Sequence, residues 1–309
     1  MTTLLVSHPA CAGHDPGGRH PERPERLAAV LDALKGPAFD GLLRRAAPEA
    51  GLDLVALAHP MAYVERTLAA IPLLGRAGLD ADTLVSPGSR EAALRAVGGV
   101  CAAVDAVARG EVRNAFCAVR PPGHHAEPEK AMGFCLFNNI AIAAFHGRAA
   151  HGLRRCAVVD FDVHHGNGTQ AMFEADPSLF YASTHQWPLY PGTGAPEERG
   201  VGNVVNVALP PGSGSAAFRA GIEDRILPAL DAFAPDLVLI SAGFDGHRND
   251  PLAALNLVEE DYAWVTARLV EHAAALCGGR VVSTLEGGYN LRALGASCAA
   301  HVGALMAGP

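Results

Sequence analysis

Lysine is almost missing from this sequence: Lys35 and Lys130 are the two examples among 309 residues. Arginine supplies the remaining basic groups, but Asp and Glu outnumber Lys and Arg by 32 to 24, leaving a net charge of −8. Phosphate binding needs a stripe of clustered basic side chains, and the sequence has none. A direct nucleic-acid surface is therefore not expected, and any contact with chromatin would run through another partner. Long apolar runs are also missing. No stretch reaches the ~18 apolar residues that would suggest a membrane span. The opening MTTLLVSHPA lacks a basic segment leading into a long apolar one, so no secretory leader is expected either. CxxC pairs are absent too. The seven cysteines (Cys11, Cys101, Cys117, Cys135, Cys156, Cys277 and Cys298) are odd in number, and several lie in apolar runs such as NAFCAV. Reduced, buried thiols in a cytoplasmic protein are the expectation.

Half of the chain is apolar and 18% is charged, enough to build one large core. Short β-branched runs alternate with longer segments of helical periodicity. Strands are expected at 3–8, 115–120, 156–163, 179–184, 203–209, 236–243 and 280–288. Helices are expected near 22–35, 60–73, 89–109, 135–150, 215–230, 258–278 and 291–307. In the third of these, Ala92, Leu94, Val97, Val100, Cys101 and Val104 recur at helical spacing and mark one buried face. Strands apolar on both faces, separated by helices, imply an α/β domain with a parallel sheet covered on both sides. Such sheets place functional groups beyond the carboxyl ends of their strands. No repeat or low-complexity linker divides the chain, so residues 1–309 are read as one domain, with YPGTGAPEERGVGN (190–203) as a long surface loop.

Four strands end in polar clusters. The run AVVDFDVHHGNGTQ carries Asp160, Asp162 and His164 two residues apart, so they share one side if strand geometry persists to residue 164, with His165 on the other. Two carboxylates and an imidazole cannot lie unpaired in a core without a penalty of several kcal/mol each. A cation resolves this, and the donor types suit Zn²⁺ or Fe²⁺. The run DLVLISAGFDGHRNDP brings a third carboxylate, Asp245, which would complete three ligands with a fourth position open. RVVSTLEGGYN ends in Glu286 and presents Tyr289 after a glycine pair, a phenol donor for the same mouth. After AFCAV, the turn RPPGHH holds the adjacent His124 and His125, imidazoles fit for acid–base work beside a metal.

Together, HPERPERL (20–27), RPPGHHAEPEKAMGFCLFNN, VVDFDVHHGNGTQAMF, YPGTG, SAGFDGHRNDP and LEGGYN resemble the histone deacetylase superfamily, most closely its class II-like bacterial members and acetylpolyamine amidohydrolases. The resemblance spans about residues 20–300. It implies an arginase-like fold with an eight-stranded parallel sheet, and zinc-dependent hydrolysis of an acetyl amide by metal-activated water. Asp162, His164 and Asp245 would hold one Zn²⁺, with Fe²⁺ an alternative. His124 and His125 would form the dyad, Tyr289 would bind the oxyanion, Asp160 would support His124, and Asn167 would stand behind His125. An Asn cannot favour imidazolium as an Asp would, so His125 becomes the base. Gly133, Phe134 and Tyr190 would line the channel for the acyl-lysine stem. Asp160, Asp162, His164, Ser183 and Thr184 would hold a structural K⁺, partly through main-chain oxygens, and carbonyls near Phe173, Asp176 and Leu179 a second.

Relatives specialised for acetylpolyamines can carry an acidic residue where this sequence has Leu252. The apolar side chain favours acetyl-lysine substrates, with small acetylated amines as the alternative. Arginase-type enzymes, with two Mn²⁺, resemble a DAHxD pattern, and Gly166 stands here where the second-metal ligand would be. A non-catalytic acetyl-lysine reader would be expected to lack a ligand, the dyad or the tyrosine, and all are present. Nothing in the sequence excludes a homo-oligomer.

Overall fold

A computed structural model describes residues 2–308. Its centre is an eight-stranded sheet of β1 (Thr3–Ser7), β2 (Leu43–Ala46), β5 (Asn114–Ala118), β6 (Cys156–Asp160), β7 (Leu179–Gln186), β8 (Val204–Leu209), β9 (Leu237–Ala242) and β10 (Val281–Leu285). The order is β2-β1-β5-β10-β9-β6-β7-β8, and every pairing is parallel. A two-stranded antiparallel hairpin, β3 (Ala77–Gly78) and β4 (Leu84–Val85), stands apart from it.

The inner strands are buried along their whole length because both faces are covered. Neighbouring residues of β5 show the two layers. Cys117 Sγ donates to the Gly99 carbonyl of α4 (Ser89–Ala108), while the Phe116 ring packs on His301 of α10 (Leu291–Ala307). With α4 lies α5 (Asn139–His151); with α10 lie α1 (Glu25–Ala33) and α9 (Glu259–Cys277). The remaining helices are α2 (Leu52–Val55), α3 (Met61–Ala69), α6 (Asn167–Phe173), α7 (Ser215–Gly221) and α8 (Leu227–Phe233).

All seven expected strands form, with β5 ending two residues early and β6 and β10 each ending three residues early. The unexpected β2 is an edge strand with all four residues exposed, so it carries no apolar pattern; Arg44 and Arg45 keep that edge charged. The helix expected over 135–150 starts at Asn139, because residues 132–135 close a turn and Asn138 Oδ1 caps the Ala141 N–H at 3.0 Å. The helix expected over 215–230 is interrupted by a wider turn at Ile222–Ile226, just before Pro228, which has no N–H for the helical ladder. Residues 187–203 form a loop. No helix among the described residues is long and apolar enough to cross a membrane.

Candidate active site

The carboxyl ends of four adjacent strands, β5, β10, β9 and β6, meet at the middle of one sheet edge. From β6 come Asp160, Asp162 and His164; from β9, Asp245; from β10, Glu286 and Tyr289; from β5, the His124–His125 turn. Their apolar strand bodies fix the backbone, and the polar residues begin where the ladder ends.

Strand geometry stops at Asp160, so the expected alternation through residue 164 does not hold. The chain turns, and the Asp160 carboxylate moves out of the ligand cluster: Oδ1 accepts the Asp162 N–H at 3.1 Å and Oδ2 meets His124 Nδ1 at 2.9 Å. Asp162, His164 and Asp245 converge without it. His164 Nδ1 lies 3.1 Å from both Asp162 Oδ1 and Asp245 Oδ2. The other oxygens are already engaged, Asp162 Oδ2 by the Gly287 N–H (2.8 Å) and Asp245 Oδ1 by the Val163 N–H (2.9 Å). One nitrogen and two oxygens thus face a common point, with each carboxylate oriented by a main-chain donor. With a neutral imidazole the set carries two negative charges in a fully buried place, the charge a divalent cation cancels, so the residues fit the implied metal. A Cβ at Gly287 would overlap both carboxylates, so only glycine lets β10 approach this closely.

The two adjacent histidines are set oppositely. Burial alone would lower the His124 pKa, but the Asp160 and Asp162 carboxylates outweigh it and raise it to about 10. Burial pushes His125 well below its ordinary value, and repulsion from His124 and His164 adds to this. His125 Nδ1 meets Asn167 Oδ1 at 2.8 Å, while Asn167 Nδ2 donates to Glu127 Oε1 at 2.8 Å. Glu127 therefore fixes which end of the amide faces the ring. His125 Nδ1 must donate, and a neutral ring keeps its lone pair on Nε2. His165 points elsewhere, to Thr193 and Gln170.

Three buried carboxylates frame this arrangement. Glu286 Oε2 accepts the Gly123 and His124 N–H groups at 2.7 and 3.2 Å and so ties the histidine turn to β10. Asp250 Oδ2 accepts the N–H groups of Tyr289 and Asn290 at 2.7 and 3.2 Å, and its Oδ1 takes that of Leu252 at 3.0 Å. Glu22 pairs with Arg120 and Arg26, and the Arg26 guanidinium donates to the Glu286 and Gly288 carbonyls at 2.5 and 2.6 Å. Burial opposes ionisation of Glu22, but Arg120, His14 and Arg26 prevail and lower its pKa to about 2.

Above the cluster opens a cavity of about 220 Å³ lined by His125, His164, Tyr289, Gly133, Phe134, Tyr190 and Leu252, together with Leu189 and Asp82. Gly133 and Phe134 have φ of 55° and 69° and form the tip of a two-residue turn closed between Met132 and Cys135. Such a turn favours Asn-Gly, and a phenylalanine there is strained; it places the ring as a channel wall, edge-on to Tyr289 at 5.9 Å between centroids. Leu189 and Asp82 are absent from the sequence-based set. Asp82 matters most: the sequence at Leu252 suggested a mouth without negative charge, yet the β3–β4 hairpin delivers a carboxylate there.

The potassium residues separate into two cases. Asp160 and Ser183 are register partners on β6 and β7 and are buried beside Thr184, and Ser183 Oγ meets His185 Nδ1 at 2.9 Å. The expected second site is filled. Asn203 Nδ2 lies 2.9, 3.0 and 2.8 Å from the carbonyls of Phe173, Asp176 and Leu179, and the Val201 N–H holds Asn203 Oδ1 in place at 3.1 Å. A side-chain amide occupies the point on which those oxygens converge.

Comparisons with known proteins agree with the fold. The histone deacetylase domain matches residues 20–305. A histone deacetylase-like amidohydrolase of Pseudomonas aeruginosa is 41% identical over 92% of this chain and 75% of its own length. Polyamine deacetylase HDAC10 of Homo sapiens is 39% identical over all of this chain and 47% of its own length. A crystal structure of the HDA15 HD domain superposes with a TM-score of 0.92 at 36% identity, covering 99% of this chain and 88% of that one.

Proposed function

This chain belongs to the histone deacetylase family of hydrolases, and we propose that it is a zinc-dependent deacetylase that cleaves the acetyl amide of N-acetyl-lysine side chains. One observation carries the reading. The three-donor cluster, an imidazole base and a phenol stand around the end of one narrow, apolar-walled cavity. The walls of Phe134, Tyr190, Leu189 and Leu252 suit a methylene stem, at roughly 0.8 kcal/mol per buried CH₂.

Asp162, His164 and Asp245 would hold the zinc, and Fe²⁺ suits the same donors. When bound, the cation supplies Lewis-acid polarisation of the acyl carbonyl and lowers the pKa of a water toward neutrality. His125 Nε2 accepts a proton from the attacking water and returns it to the departing amine. His124, whose Nδ1 meets Asp160 Oδ2 at 2.9 Å, would stand beside it as an electrostatic partner. The Tyr289 hydroxyl donates to the oxyanion that develops on the substrate. Asp160, Ser183 and Thr184, with the main chain at Asp162 and His164, would hold one structural K⁺. Seven free, buried cysteines support a cytoplasmic setting.

Asp82 favours a second reading, acetylpolyamine hydrolysis, because a carboxylate at the mouth can receive a distal ammonium. The deciding experiment compares an acetyl-lysine peptide with N-acetylputrescine and N-acetylspermidine, using metal-quantified enzyme with and without chelator. Chelator-sensitive acetate release mainly from the peptide supports the lysine reading. Preference for the polyamines replaces it with the second, and activity on none of them contradicts both.

A further inference from the structure

Between α4 and α5 lies a second cluster of metal-ligand type. Asp105, in the last turn of α4, receives two imidazoles from the last half of α5. His146 Nε2 lies 2.7 Å and His151 Nε2 2.6 Å from the same oxygen, Asp105 Oδ1. The residues come from 41 and 46 positions apart, so the packing of the two helices creates the cluster. On α5 the two histidines are five residues apart, about 140° around the helix. They therefore reach the carboxylate from either side, with rings 5.8 Å apart and nearly perpendicular. Arg109 stands 3.7 Å from the second oxygen and leaves Oδ1 to the imidazoles.

We propose that Asp105, His146 and His151 form a second divalent-cation site, distinct from the catalytic one and selective for Zn²⁺ or a similar borderline transition metal. Two imidazole nitrogens and one carboxylate oxygen form the reverse of the catalytic donor ratio. Nitrogen-rich sets favour zinc, nickel and copper over magnesium or calcium. The side chains are 13%, 15% and 30% exposed for His146, His151 and Asp105, so solvent reaches the fourth coordination position. Zinc bonds of about 2.0–2.1 Å at tetrahedral angles set ligand atoms about 3.3 Å apart. The two imidazole–carboxylate distances need to open by about 0.6–0.7 Å from their present 2.7 and 2.6 Å.

Such a site clamps α5 to α4. The opposite end of α5 buttresses the catalytic turn: Asn138 Nδ2 donates to the Ala126 carbonyl at 3.2 Å and Asn139 Nδ2 to that of Pro121 at 3.1 Å. His151 lies twelve residues from Asn139, about 18 Å along the helix. A cation there braces the scaffold and takes no part in the chemistry.

The test is zinc stoichiometry, and the metal count itself does not depend on any assignment of substrate. Zinc is titrated at micromolar concentration into the metal-stripped full chain, and bound metal is counted after desalting. Wild type should bind two equivalents. His146→Gln/His151→Gln should bind one while retaining turnover on zinc loading, Asp245→Ala should bind one, and the triple variant none. Added zinc should also raise the Tm of Asp245→Ala but not that of the triple variant. Saturation of wild type at one equivalent overturns the proposal, even if a variant fails to fold. So does a second equivalent that survives in His146→Gln/His151→Gln.

Discussion

Asp162 and Asp245, at the floor of the cavity, are fully buried, and each has one oxygen pinned by a main-chain N–H at 2.8 or 2.9 Å. Tyr190, at the rim, is 37% exposed and stands on the loop between β7 and β8. Asp82 and Leu252 likewise stand on segments outside the sheet, one in the β3–β4 hairpin and one between β9 and α9. The floor hangs from four neighbouring strands whose register leaves little freedom. Its chemistry is a property of the sheet. The rim is assembled from loops that can change length and charge without disturbing those strands, so under the proposed function substrate choice would be separable from catalysis.

That separation can be broken in graded steps. Asp245→Ala should have the largest effect, removing the catalytic zinc and reducing acetate release to background; metal analysis and turnover on the same sample check it. Tyr289→Phe should keep zinc and lose on the order of 10²–10³ in kcat, the usual effect of deleting one oxyanion donor. Near-normal turnover in that variant removes Tyr289 from the mechanism. Asp250→Asn tests whether the floor depends on its support. Asn keeps one acceptor oxygen where the N–H groups of Tyr289, Asn290 and Leu252 use two, so one side of this support faces an NH2 instead; the phenol should be misplaced and kcat lowered roughly tenfold to a hundredfold, with KM and zinc content little changed. A shift confined to KM would place Asp250 with the rim instead. Asp82→Asn should do the least. KM for substrates with a distal ammonium should rise roughly twofold to fivefold, as expected for one partly exposed ion pair, with kcat and uncharged peptides unaffected.

The floor was legible in the sequence because an apolar strand that ends in Asp, His or Tyr contradicts its own pattern. Asp162, His164, Asp245, His124, His125 and Tyr289 all announce themselves in this way, and the structure brings them together. The departures are local or long-range. Asp160 turns to His124, the place the resemblance implied for it, because strand geometry ends there, a change that alternation alone cannot register. Asp82 reaches the mouth through a hairpin of two-residue strands too short to leave a pattern. The charge inferred from Leu252 alone was incomplete for that reason. Edge strand β2 carries no apolar signal because all four of its residues are exposed. Asn203 fills the second expected ion position by a side-chain contact that reaches back 24 to 30 residues. Asp105, His146 and His151 each look like ordinary polar residues on amphipathic helices, and only helix packing makes them a cluster.

The most direct test of the central claim is acetate release as a function of zinc added to metal-stripped enzyme, measured in the His146→Gln/His151→Gln background so that the catalytic cluster alone takes the metal. Turnover should rise in proportion to zinc and stop at one equivalent. Full turnover without metal, or a rise that continues to two equivalents, would contradict a single-metal floor built from Asp162, His164 and Asp245.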